Sequence, residues 1–322
     1  MSLSPLVAVT GGTGFLGLHL VPALAQAGLR LRLLVRRPVT HVALEGLAFE
    51  TVNGTLEDEA AMAALVQGAD VVVHAAGLIK ARDRAAFMRA NRDGTVAVAR
   101  ATRRMAPMAK FIMISSLAAR EPQLSNYAFS KRAAEDEVRR MFGGAAEQLA
   151  IIRPPAVYGP WDRETLAVFQ ESLWKVAPLL GHGKAAVIHA RDAAGAIAAM
   201  VGPKFRPGCF ALADENPEGY EIRALMTQAA RATGGAPICI NLPRILVLSA
   251  GFLSERLRSG RGTRPIFTLG KAREMLHPDW SVSNSELLPR EIYRPRISLA
   301  AGFAEAVAWY RQVGWLRQSG SG

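Results

Sequence analysis

Short apolar runs recur along the first half of the chain, separated by stretches whose apolar residues fall at three- and four-residue spacing. The short runs predict strands at 6–10, 30–35, 47–52, 70–75, 110–115 and 148–153, and the periodic stretches predict helices near 15–27, 58–66, 84–106 and 127–142. Runs such as Val71-Val72-Val73 and Phe111-Ile112-Met113-Ile114 show no polar alternation, as expected of a sheet covered on both faces. Strand and helix alternating through short connections predict an α/β fold with a parallel, doubly wound sheet. After Arg153 the rhythm changes, where Pro154, Pro155, Gly159 and Pro160 end the alternation. The expected division is a first domain over 1–160 and a smaller, mainly C-terminal lobe over 161–322, partly interleaved with the first sheet near 185–213.

The first strand runs straight into Thr10-Gly11-Gly12-Thr13-Gly14-Phe15-Leu16-Gly17. Gly11 and Gly12 suit a tight turn, Gly14 lets the backbone approach a pyrophosphate, and Gly17 lets the helix pack closely. The free N–H groups of the helix start, with Phe15 and Leu16 in its first turn, offer partial positive charge to phosphate. A glycine loop alone is weak evidence; between a buried strand and an amphipathic helix it reads as a Rossmann-type dinucleotide site. The second strand then ends Leu33-Leu34-Val35-Arg36-Arg37-Pro38, with no carboxylate nearby. An acid there would bind a free ribose 2′-hydroxyl, whereas Arg36 and Arg37 suit a 2′-phosphate, so the expected cofactor is NADP(H).

Tyr127 and Lys131 lie four residues apart on a predicted helix and hence on one face. A phenol with a pKa of about 10 is a poor acid–base group near neutrality, and a neighbouring ammonium lowers that value. Tyr127 could then give a proton to a carbonyl oxygen while hydride arrives from a nicotinamide. The strand before it ends in Ser115-Ser116, at the sheet edge where such folds bind ligands.

These segments occur in order with Val73-His74-Ala75-Ala76-Gly77, Asn91 before Gly94-Thr95, and Arg153-Pro154-Pro155-Ala156-Val157-Tyr158-Gly159-Pro160. Together with His189-Ala190-Arg191-Asp192 and Trp309-Tyr310-Arg311-Gln312-Val313-Gly314-Trp315-Leu316, the set resembles the extended short-chain dehydrogenase/reductase superfamily, which includes NAD-dependent epimerases and dehydratases. The resemblance implies Tyr127 as proton donor, Ser116 rather than Ser115 at the substrate oxygen, Lys131 on the nicotinamide ribose and Asn91 in support. It also implies cofactor contacts from Leu56, Ala75, Ala76, Gly77 and Pro154. Two positions depart from the pattern. Thr55 in Asn53-Gly54-Thr55-Leu56 stands where the family often has an adenine-side acid. Ala156 stands where nucleotide-sugar enzymes usually carry the asparagine that binds the substrate diphosphate.

Composition adds limits. Half of the 322 residues are hydrophobic, enough for a sizeable core. Cys209 and Cys239 form no disulfide framework, and the six histidines show no metal-ligand spacing, so no metal is expected. No basic residue precedes Arg30, and no run approaches the roughly 20 apolar residues of a spanning helix, so a cytoplasmic location is expected. The net charge of +12 fits attraction to anionic lipid or a phosphorylated cofactor, or an arginine-rich solvated surface. No helix-turn-helix or aromatic-interleaved basic stripe accompanies it, so no nucleic acid partner is expected. The run Ile245 to Leu253, followed by Arg256, Arg258, Arg261 and Arg264, reads either as core of the C-terminal lobe or as an apolar segment for peripheral contact with the inner membrane face.

Taken with Ala156, the resemblance points to the reductase branch that includes steroid dehydrogenases, dihydroflavonol reductases and bacterial ceramide reductases. A lipid-like small-molecule ketone is expected, a 3-oxo-sphingolipid being the specific candidate. A nucleotide-sugar epimerase or dehydratase is the first alternative, and a non-catalytic cofactor-binding subunit the second.

Overall fold

The computed structural model describes residues 4–259 and 267–317, so Arg261 and Arg264 lie outside the described residues. The chain forms two compact units: Met1–Pro154 with Ala193–Ala211 and Leu288–Tyr293, and Pro155–Asp192 with Leu212–Leu287 and Arg294–Gly322.

The first unit is built on a seven-stranded parallel sheet. Its strands are β1 (Leu6–Thr10), β2 (Arg30–Val35), β3 (Glu50–Asn53), β4 (Val71–His74), β5 (Lys110–Ile114) and β6 (Leu149–Arg153), with Gly208–Ala211 adding the seventh. From one edge the order is Gly208–Ala211, β6, β5, β4, β1, β2, β3, the doubly wound Rossmann arrangement. The order reverses between β1 and β4, where Val7 pairs with Val71 and Thr10 with His74. Between strands run α1 (Gly17–Gln26), α2 (Glu59–Val66), α3 (Arg84–Phe87), α4 (Gly94–Met105) and α5 (Asn126–Met141). Because both faces are covered, central residues such as Val9, Val72, Phe111 and Ile112 are wholly buried. Each contributes about 1.5–3 kcal/mol of hydrophobic burial.

The single helix expected over 84–106 is instead broken. A π-helical turn, Met88–Asp93, joins α3 to α4. Asn91 lies in it with its side chain tied to the backbone of Leu78, a contact no periodicity argument could include. Such turns are frequent at functional sites.

The second unit has small sheets instead of one large one. Ala156–Tyr158 pairs in parallel with Val187–His189, and Val176–Leu179 with Ile238–Asn241, while Lys184–Ala185 lies between Tyr220–Glu221 and Asp279–Trp280. Its core gathers Tyr158, Phe169, Phe303 and Tyr310. The Trp309–Leu316 motif finishes the helix Leu299–Gln312: Gly314 adopts φ +73°, Trp315 N–H donates to the Tyr310 carbonyl, and the Trp315 and Tyr310 rings stack.

Candidate active site

Every candidate cofactor residue of the first unit lies in or just beyond a loop that leaves the C-terminal edge of the sheet. The glycine turn follows β1. Its φ of +74° at Gly11 would strain any other residue, and a Cβ there would sit 2.5 Å from the Ala76 nitrogen. Gly12 does not share the positive φ; its lack of a side chain accommodates Val21 and Leu33 instead. Gly17 is excluded from having a side chain by the turn itself, since a Cβ would fall 2.2 Å from the Gly11 carbonyl oxygen. Thr13 and Gly14 are exposed, Phe15 and Leu16 half-buried, and α1 starts with no side-chain cap. An anion fits that uncapped helix start.

Arg36 and Arg37 are exposed immediately after β2, and Thr55 is exposed just after β3. Val35 pairs with Asn53, and Gly54 N–H donates to the Val35 carbonyl, so the arginines and Thr55 leave neighbouring strand ends. Leu56 is half-buried and packs on the core below Gly94.

Beyond β4, Ala75-Ala76-Gly77 runs beside the glycine turn. A Cβ on Gly77 would lie 3.0 Å from Asn91 Oδ1 and 3.2 Å from Lys131 Nζ. The missing side chain therefore lets the Asn91 amide and the Lys131 ammonium close on the backbone at Gly77. Lys131 Nζ donates to the Ile114 carbonyl at 3.0 Å. Burial lowers its pKa to about 8, the charge of Glu135 opposing that shift.

Asn91 is anchored on three sides. Its Oδ1 accepts from Leu78 N–H at 2.7 Å, and its Nδ2 donates to the Leu78 carbonyl and to Ser130 Oγ, both at 2.9 Å. Behind it runs a directional chain. Thr95 Oγ1 donates to the Asn91 carbonyl, so it must accept from His74 Nε2 at 2.9 Å; His74 Nδ1 then accepts from Thr10 Oγ1 at 2.7 Å. Burial, followed by the charge of Lys131, lowers the His74 pKa to about 3, so the ring stays neutral as this chain requires.

The two serines after β5 differ. Ser115 is buried, and its hydroxyl donates to Glu135 Oε1 at 2.6 Å. Glu135 is wholly buried on α5, one turn beyond Lys131, and Arg153 binds it through two bonds of 2.9 and 2.6 Å. Burial alone would raise the Glu135 pKa, but the hydrogen bonds and charge of Arg153, with Ser115 and Arg139, outweigh it and hold the carboxyl below its ordinary range. Ser116 is only half-buried and accepts from Ala118 N–H at 3.2 Å, which leaves its proton to donate elsewhere. The Pro154 carbonyl accepts from Leu117 N–H at 2.8 Å and holds the start of this loop. Tyr127 is half-buried in the first turn of α5, its ring 6.1 Å from that of Phe87.

Glu135 and His74 were not singled out as site residues by the sequence reading. Glu135 could have been found at the four-residue step beyond Lys131. His74 becomes visible only once β1 and β4 are paired.

A family model described as the NAD dependent epimerase/dehydratase family matches residues 7–207. Over 312 residues, 96% of each chain, the sequence is 46% identical to a ceramide reductase of Caulobacter vibrioides. A second relative is the 4-hydroxy-2-methyl-3-oxo-4-farnesyl-3,4-dihydroquinoline-1-oxide ketoreductase of Stigmatella aurantiaca, 41% identical over 96 residues, 30% of this chain and 29% of that protein. Among solved structures, the fold is shared with DesIV, a dTDP-glucose 4,6-dehydratase of Streptomyces venezuelae with NAD and TYD bound. The TM-score is 0.72 at 21% identity, covering 97% of this chain and 99% of that one.

Proposed function

The chain belongs to the NAD dependent epimerase/dehydratase family, and from there we propose that it is an NADPH-dependent reductase converting a ketone on a lipid-like molecule to a secondary alcohol. A 3-oxo-sphingolipid is the specific substrate proposed. The glycine turn and the start of α1 would hold the cofactor pyrophosphate, Arg36 and Arg37 its 2′-phosphate, and Lys131 with Ala75–Gly77 its nicotinamide ribose. When bound, the reduced nicotinamide supplies hydride to the carbonyl carbon.

Tyr127 gives its phenolic proton to the carbonyl oxygen, and Ser116 donates a hydrogen bond to the same atom. The Lys131 ammonium stabilises the phenolate that remains, which then recovers a proton from solvent. Asn91, fixed by Leu78 and Ser130, keeps the backbone beside Gly77 in place. The observation that carries this reading is Lys131 itself: a buried ammonium one helical turn from Tyr127, close against the backbone at Gly77. The substrate class rests on the full-length likeness to a ceramide reductase and on Ala156, which offers no donor to a sugar diphosphate.

The cofactor assignment is tested by titrating NADPH and NADH onto wild type and the double variant Arg36→Ala/Arg37→Ala. Wild type is expected to prefer NADPH. The variant should lose about tenfold to a hundredfold in NADPH affinity, the value of one or two charge-assisted hydrogen bonds, and keep its NADH affinity. Equal weakening of both would overturn the 2′-phosphate assignment.

A further inference from the structure

The helix Arg244–Ser259 in the second unit is apolar on two opposite faces. One face is accounted for: Val247 is buried, and a Cβ on Gly251 would lie 3.0 Å from the Thr268 carbonyl oxygen and 3.1 Å from Ala272 Cβ, so this side packs on the helix Leu269–Met275. At 100° per residue, Ile245, Leu246, Phe252 and Leu253 fall on the other side. They are 72%, 56%, 50% and 56% exposed. A helix on a lobe surface is expected to carry polar residues there. The strand that leads into it continues the pattern, with Ile238 and Ile240 exposed at alternate positions. A run of exposed apolar side chains of this extent marks a contact surface.

The charges select the occupant. Between residues 244 and 264 the sequence has five arginines and one acid, Glu255. The Glu255 carboxylate accepts from Leu269 N–H at 3.3 Å, on the side of the packed helix. The Arg256 guanidinium instead lies 5.2 Å from the Phe252 ring, within the exposed face. A second copy on a two-fold axis would oppose arginine to arginine. An anionic bilayer takes the apolar side chains into its acyl boundary and the guanidiniums at its headgroups. Among the described residues no helix is long and apolar enough to cross a membrane, so the mode is contact in the interface plane.

We infer that the outer face of Arg244–Ser259, with Ile238 and Ile240, is a docking surface for an anionic lipid membrane. The inference stands apart from the substrate reading, since binding is read without turnover. The test is flotation of the full chain with vesicles of phosphatidylcholine alone and with phosphatidylglycerol added, at low and high salt. Wild type should float with the anionic vesicles about tenfold more strongly than with the neutral ones, and less at high salt. Ile245→Ser/Leu246→Ser/Phe252→Ser/Leu253→Ser should lower that binding about tenfold or more with an unchanged melting temperature. Arg244→Gln/Arg256→Gln, which leaves the apolar face and three of the five arginines intact, should weaken the preference for anionic lipid. Wild type remaining lipid-free in both mixtures overturns the inference. So does a wild-type dimer that the serine variant converts to monomer without any lipid binding, which would assign the face to a second copy.

Discussion

At Lys131 burial and charge pull in opposite directions. Burial brings the ammonium pKa down to about 8, while Glu135, one turn along α5, works against that shift. The side chain is therefore charged at neutral pH and loses its charge as the pH rises through about 8. In the proposed reaction that charge supports Tyr127, so kcat/KM for ketone reduction should fall as the pH passes about 8. Lys131→Arg, which keeps its charge throughout, should move this limb to higher pH even though turnover drops. A limb that stays in place in the arginine variant would assign it to another group. Tyr127 and Lys131 were legible because a four-residue helical step places both on one face. The resemblance favoured Ser116 over Ser115, but the carboxylate that engages Ser115 lies 20 residues away and has no local signal.

At the scale of elements, α5 is tied to the sheet by one buried ion pair. Arg153 at the end of β6 reaches Glu135 through two hydrogen bonds, with side-chain exposures of 13% and 0%. Removing the arginine leaves a carboxylate buried, with Ser115 and the half-exposed Arg139 as its remaining partners. Arg153→Ala should cost about 1.5–3 kcal/mol of stability, the range of hydrogen bonding to a charged group whose other partners remain, read as a lowered denaturant midpoint in urea. A loss below about 1 kcal/mol, the range of an exposed pair, would contradict this account of the pair. The strands were legible to within a few residues because continuous apolar runs have few alternative conformations in a covered sheet. The break at Met88–Asp93 was not, because it follows from Asn91 binding the Leu78 backbone rather than from helical propensity.

For the whole molecule, the parallel sheet and the glycine turn were legible because local pattern and long-range topology agree there. The second unit was read only in outline. Its short strands pair across large sequence separations, such as Lys184 with Asp279, and no local pattern encodes that. The apolar run at 245–253 is likewise neither core nor surface alone, with Val247 buried and Ile245 exposed on the same helix. In the proposed reaction a cofactor held at the sheet edge and a proton from Tyr127 act together on a lipid ketone. The most direct measurement supplies NADPH deuterated at the transferring position with a long-chain 3-oxo amide, and analyses the alcohol by mass spectrometry. Wild type should give product with one deuterium on the carbinol carbon, and Tyr127→Phe should give none at equal cofactor occupancy. Full deuterium transfer by the phenylalanine variant would contradict the mechanism at its centre.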